Sequence, residues 1–221
     1  MAGNLEPRRG LISDSYELYL LLQKEDLLKE KPPMWWPAYG NFEVLIGAIL
    51  TQNSQWKRVE VSLKNLNGYL DVDSLIDMDT ESLERLIQPS GLYKSKAKYI
   101  KLLVSALKED YGDFGSFCTE VNRTWLLSQK GIGPETADSI LCYACKREVM
   151  VVDTYTARLL SALGYEFGSY DDLQEWCVKG LFSLDDKGER FKVYALFHAM
   201  IVEFVKANSK GKKINIESLK W

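Results

Sequence analysis

Along most of this chain apolar residues return every three or four positions, the spacing of helices that bury one stripe. SDSYELYLLLQKEDLLKE shows it after a Ser/Asp start, and KPPMWWPAYG then breaks it with three prolines and a glycine around two tryptophans. NFEVLIGAILTQNSQWKRVEVSLKNL reads as a buried apolar helix, a polar break at Thr51–Ser54 and a second helix. DVDSLIDMDTESLERLIQPSGLY gives two short helices, each opened by Asp or Thr, the second stopped by Pro89 and Gly91. SKAKYIKLLVSALKEDYG and TEVNRTWLLSQ are amphipathic helices. Strand-like alternation is scarce, and VMVV at 149–152 is too short and isolated to build a sheet. The expected class is all-α. With 221 residues, 46% of them hydrophobic, the chain can bury a core as one large domain or two small ones.

No apolar run reaches the roughly 18 residues of a membrane span, and MAGNLEPRRG has no apolar region behind its arginines. A soluble, intracellular protein is expected. Of the four cysteines, Cys142 and Cys145 form a lone C-x-x-C inside an apolar helix, without a second pair at zinc spacing. Buried thiols are the reading. The net charge of −3 argues against a protein that coats nucleic acid, but the charge is uneven. YKSKAKYIK carries Lys94, Lys96, Lys98 and Lys101 without an acid, and the tail adds Lys206, Lys210, Lys212 and Lys213. Each run fits a phosphate-binding face or a solvated helix face.

QKGIGPETADSILCYACKREVMVVDT carries the strongest local signal. Gly131 and Gly133 permit positive φ and leave the backbone uncovered; Pro134 suits the first turn of a helix. A helix ending near Gln129 and another starting at Pro134 make a helix–hairpin–helix. Its bare amides at a helix N-terminus suit phosphate oxygens and contact the DNA backbone without reading sequence. A Gly-x-Gly alone is weak evidence and is often just a tight turn. The lone acid of Val152-Asp153-Thr154 makes the combination more specific.

These motifs resemble the helix–hairpin–helix DNA glycosylases related to endonuclease III. Gly131-Ile132-Gly133 and Val152-Asp153-Thr154 match that family's G-[VI]-G and V-D-T; ILTQNS at 49–54, SGLYKSKA at 90–97 and LFHAM at 196–200 resemble three further loops in the same order. Two departures narrow the resemblance. Members that also nick DNA carry a lysine nucleophile where this chain has Glu135, and a carboxylate cannot form the Schiff base. Iron–sulphur members carry four cysteines after the LFHAM-like turn; here none follows Cys177, and Glu203 stands at the first position. With WWP before the first core helix and IVEFVK near the end, the chain most resembles bacterial 3-methyladenine glycosylases of the type III subgroup.

The resemblance implies a monofunctional enzyme of base excision repair, cytoplasmic and monomeric, acting on double-stranded DNA without an iron–sulphur cluster. It implies two helical lobes, 33–148 and 1–32 plus 149–221, with a cleft for a flipped base. Asp153 would stabilise the oxocarbenium-like sugar, although an aspartate there also reads as the N-cap of TYTARLLSALG. Trp35, Trp36 and Pro37 would line one side of the base pocket and Trp56 would stack on the base, with Glu135 and Lys206 also assigned to that pocket. The two adjacent tryptophans also read as core filler. An alkylated purine is cationic, so electron-rich rings would select it. Gln52 would plug the gap in the duplex, Leu92 would wedge beside the orphaned base, and Lys94 and Lys96 would hold phosphates. The hairpin residues Gly131, Ile132 and Gly133 would meet the backbone, and the carbonyls of Leu127, Gln129 and Ile132 would hold a monovalent cation. Lys206, after an apolar stretch, is expected to be partly buried and neutral, paired or modified, against the alternative of a surface lysine at a helix end. His198 would make a structural hydrogen bond. A glycosylase for uracil or mismatched bases, and a helix–hairpin–helix module without chemistry, are the rival readings.

Overall fold

The computed structural model describes residues 12–184 and 189–219. The leaderless reading of the first ten residues lies outside them. The chain is all-α: twelve α-helices and one two-residue β-hairpin are present among the described residues. It divides into two compact units, one formed by the segments up to Trp35 and from Glu148 onward, the other by Trp36–Arg147.

In the first unit, α1 (Ser15–Lys24) starts where the Asp14 side chain accepts from the amide of Glu17. It is shorter than its pattern suggests, because Asp26 adopts a φ of 50° and the chain turns. The elements α10 (Thr154–Ala162), α11 (Tyr170–Leu181) and α12 (Arg190–Asn208) close this unit around Leu18, Leu22, Leu159, Leu160, Phe197 and Phe204. Gly180 of α11 lets α1 approach closely: a Cβ there would fall 2.5 Å from Ser15 Oγ. Residues Val151 and Val152 are buried but belong to no helix and join no sheet.

The second unit is built on α2 (Phe42–Leu50), in which every residue except Glu43 is buried. Such an all-round apolar helix is a core helix. Around it lie α3 (Trp56–Asn65), α4 (Val72–Asp77), α5 (Thr80–Ile87), the long α6 (Tyr93–Tyr111), α7 (Phe114–Glu120), α8 (Arg123–Ser128) and α9 (Pro134–Ser139). Asp71 and Asp79 cap α4 and α5, each side chain accepting an amide three residues on. The stop at Pro89 and Gly91 takes the form of a 3-10 turn, Gln88–Ser90. TEVNRTWLLSQ is not one helix, since Asn122 caps a new one at Arg123.

Candidate active site

Asp153 follows the buried Val151–Val152 segment and, itself extended, caps α10. Its Oδ1 accepts the amide of Thr156 at 2.8 Å and the Thr156 hydroxyl at 3.0 Å, completing a capping box. That leaves Oδ2 facing Nε2 of the buried His198 at 3.3 Å. Burial pushes the carboxyl pKa up, but the His198 and Thr156 donors outweigh it and hold it below the usual carboxylate value. Cap and ionised acid are thus one residue.

From His198 the cluster continues outward. Its ring meets Trp35 edge-to-face at 5.5 Å. Trp35 adopts a φ of 66°, a strained left-handed conformation for so bulky a residue, and donates its indole N–H to Glu203 Oε1 at 3.0 Å. Glu203 also receives Lys31 at 2.8 Å and Lys206 at 3.2 Å. Burial raises the Glu203 pKa, and the Lys31, Trp35 and Lys206 donors more than reverse the shift. The Lys206 ammonium lies 5.7 Å from the Trp35 ring centre and 5.8 Å from that of Tyr155. Its side chain is 42% exposed, so the expected burial is corrected: α12 ends in solvent there, and the ammonium is ion-paired. Two ring faces and a carboxylate therefore surround a positive charge, an arrangement complementary to cations.

Trp36, the next residue, belongs to the second unit and is buried. It packs at 5.0 Å against Tyr143 and edge-to-face at 5.9 Å against Trp56. The core-filling reading fits Trp36 but not half-buried Trp35. Trp56 opens α3 and, like Pro37, is half-buried.

The hairpin joins α8 to α9, and an Arg123–Asp138 ion pair at 2.8 Å, buried at its carboxylate, ties the two helices together. Gly131 has a φ of 84°, and a Cβ there would fall 2.3 Å from the Tyr99 ring. Gly133 differs from expectation: its φ is −94°, it caps α9 in extended conformation, and a Cβ there would meet nothing within 4 Å. Its missing side chain leaves the backbone open rather than permitting a turn. Buried Ile132 donates its amide to Gln129 O at 3.2 Å; Leu127 and Glu135 are exposed. Gln52 is anchored to this loop, its amide donating to Gly131 O at 2.9 Å and Thr136 Oγ1 at 3.0 Å.

Leu92 caps α6 with a φ of 48° and is 62% exposed. Lys94 and Lys98 are exposed after it, but Lys96 corrects the phosphate assignment. It is 1% exposed, and its ammonium donates to Leu50 O at 2.7 Å and Ser90 O at 2.8 Å. Burial first, then the nearby Arg58 cation, lowers its pKa to about 8. Lys101 likewise turns inward, onto the carbonyls of Leu75, Ile76 and Met78 at the end of α4. The four-lysine run thus presents two outward charges. Cys142, Cys145 and Cys177 are buried free thiols. Among the described residues no group of three His, Cys, Asp or Glu side chains is placed to hold a metal ion, and no helix is long and apolar enough to cross a membrane.

Residues 46–175, which span the hairpin and Asp153, match the model of the HhH-GPD superfamily of base excision DNA repair proteins. The chain belongs to this superfamily. It is 40% identical over 189 residues, 81% of this chain and 83% of the other, to a Methanocaldococcus jannaschii protein named by inference as a DNA repair glycosylase, with no substrate stated. An endonuclease III of Sulfolobus acidocaldarius is 29% identical over 77% of this chain and 79% of its own. Among solved structures, the Helicobacter pylori 3-methyladenine DNA glycosylase MagIII bound to 1,N6-ethenoadenine superposes with a TM-score of 0.85 at 39% identity, over 90% of this chain and all of that one. The HhH-GPD chain is therefore an endonuclease III-like DNA glycosylase of base excision repair, with DNA as its partner.

Sequence reasoning named Asp153, Trp35, Lys206 and His198 but gave Glu203 no role beyond replacing a cysteine. An acid inside the apolar LFHAMIVEFV stretch was its signal, since a buried carboxylate requires donors. Tyr155, the second residue of α10, was also missed.

Proposed function

We propose that this HhH-GPD glycosylase is monofunctional and excises cationic alkylated purines, 3-methyladenine foremost, by base flipping and hydrolysis of the glycosidic bond. The observation that carries the reading is the cluster in which Trp35, Tyr155 and Glu203 already surround the Lys206 ammonium. The likeness to the H. pylori 3-methyladenine glycosylase supports it. A purine alkylated at N3 or N7 leaves easily, so selection rests on holding positive charge rather than on protonating the base. Asp153 is the acid of the reaction. Its Oδ2 is free of the cap and ionised, suited to stabilise the oxocarbenium-like sugar and orient water.

In the second unit Trp56 offers a stacking face with Trp36 packed against it, and Pro37 lines the same pocket. Gln52 and Leu92 are the groups inserted into the duplex, and Lys94 and the Gly131–Gly133 hairpin hold phosphates. The Leu127, Gln129 and Ile132 carbonyls are the candidate ligands of a sodium or potassium ion that steadies the hairpin; Gln129 O keeps a second lone pair beside its bond to Ile132. The enzyme acts as a monomer. Glu135 occupies the lyase position and leaves an abasic product.

The test is release of free base from methylated DNA against duplexes containing uracil or a mismatch. Release from methylated DNA alone is expected, and preference for uracil or mismatches would overturn the alkylpurine reading. Borohydride treatment with abasic DNA should trap no covalent adduct. A trapped adduct would assign a lyase step to an amine such as Lys206.

A further inference from the structure

The chain of the first unit ends its longest helix in a structure that no catalytic role explains. After α12, β1 (Ser209–Lys210) turns back at Gly211 into β2 (Lys213–Ile214), and the register sets Lys210 directly opposite Lys213. Lys212 sits in the turn between them. Like charges directly opposite in an antiparallel pair destabilise it. No acid interrupts the run from Lys206 to Ile214. All three hairpin lysines are exposed, and none has a carboxylate partner among the described residues. Several lysines elsewhere are paired, Lys31 and Lys206 with Glu203, Lys108 with Asp73 and Lys192 with Glu189; what sets the hairpin apart is two lysines held directly opposite each other.

The repulsion is built into a braced element. Arg158 of α10 donates to Ser209 Oγ at 3.2 Å and to Gly211 O at 3.1 Å, adding a fourth positive charge at the base. The amide of Asn215 closes the pair on Asn208 O at 2.9 Å. Ile214 packs against the unit's core. The backbone is thus held in a shape that its own charges oppose, in a chain whose net charge is −3. A polyanion bound to the hairpin removes that opposition.

We infer that the Ser209–Ile214 hairpin is a second DNA-docking element, in which Lys210, Lys212 and Lys213 neutralise backbone phosphates without reading sequence. It rests on DNA being the family's substrate and not on which base is excised. The positively charged element supplies the counterion-release part of binding, which is indifferent to lesion and sequence.

The experiment compares the full chain with the triple variant K210Q/K212Q/K213Q. Binding is read by anisotropy on a duplex with an uncleavable abasic-site mimic and on undamaged duplex, from low to moderate potassium chloride, with thermal melts of the free proteins beside it. The slope of log affinity against log salt should flatten by about two to three, roughly 0.9 per lysine lost from a phosphate. Affinity should fall by the same factor on both duplexes, while the free variant melts no lower than wild type because the lysine repulsion is gone. An unchanged slope, a loss confined to the lesion duplex, or a melting temperature that falls with affinity would overturn the assignment. Since no base is released in this assay, its outcome is independent of the alkylpurine proposal.

Discussion

The Asp153–Glu203 cluster and the glycine hairpin reach their shapes by opposite means. Around Asp153, side chains satisfy side chains: His198 faces the carboxylate, and Glu203 gathers Trp35, Lys31 and Lys206. In the second unit, backbone carbonyls receive side chains from a distance: at the hairpin Gly131 O takes Gln52, and at the end of α2 and the Gln88–Ser90 turn Leu50 O and Ser90 O take Lys96. A site made of side-chain charge loses chemistry before it loses fold. A site made of backbone geometry loses fold first.

The largest expected effect separates the two at once. Asp153→Asn should slow base release at least ~100-fold, the scale of losing one electrostatic stabiliser. It should leave the melting temperature nearly unchanged, because asparagine caps a helix about as well as aspartate. Asp153→Ala should be as slow and also lose about 1 kcal/mol of stability with the cap. Single-turnover rates and melts on both variants check this. If Asp153→Asn lost stability and rate together, the Oδ2–His198 pairing, which the cap does not use, would hold the fold as well as the chemistry.

Gly131→Ala and Gly133→Ala sharpen the other side. At Gly131 an alanine meets a positive φ and the Tyr99 ring, so roughly 3 kcal/mol of stability should go, from backbone strain and overpacking together. At Gly133 the φ is negative and the space open, so stability should change by no more than about 0.5 kcal/mol. Affinity for an abasic-site duplex should nevertheless weaken, because the methyl covers the backbone amides at the start of α9. Denaturant melts and anisotropy on both variants decide it. Equal destabilisation would make both glycines turn residues.

The sequence made the helices and their caps legible because those signals are local. An apolar FEVLIGAIL stretch, Asp71 before α4 and Pro134 opening α9 each act within a few residues of themselves. Asp153 was legible for the same reason. What could not be read is where long side chains end. Lys94 and Lys96 look alike in YKSKAKYIK, yet Lys96 finds carbonyl partners as far as 46 positions away. Trp35 and Trp36 are likewise indistinguishable in WWP, yet the Trp35 indole N–H finds Glu203, 168 positions on, while Trp36 is buried against Tyr143 and Trp56. Gly131 and Gly133 carry the same letter for different reasons, because φ at each depends on the turn that surrounds it.

The last effect appears only as pH changes and concerns Lys96, where the second unit buries a charge of its own. Its folded pKa, about 8, lies below the roughly 10.4 of an unfolded lysine. Between those values the unfolded chain binds more protons than the folded one, so stability rises with pH across that window. Below pH 8 both states are charged and the folded protein bears the cost of burying an ammonium. Above it the neutral amine still donates to Leu50 O and Ser90 O without that cost. Lys96→Met removes both donors and the charge, so it should be less stable than wild type at pH 7. The gap should then widen by about 2 kcal/mol on going to pH 10, from a shift of this size at 1.36 kcal/mol per pH unit. Using the difference between the two proteins cancels the tyrosines, which titrate in both. Denaturant melts at the two pH values measure it. A gap that stays constant would mean that folded Lys96 keeps its proton as firmly as an unfolded lysine does, its ammonium held by Leu50 O and Ser90 O, and the second unit would then bury a fixed charge on backbone carbonyls alone, where the cluster around Asp153 answers charge with charge.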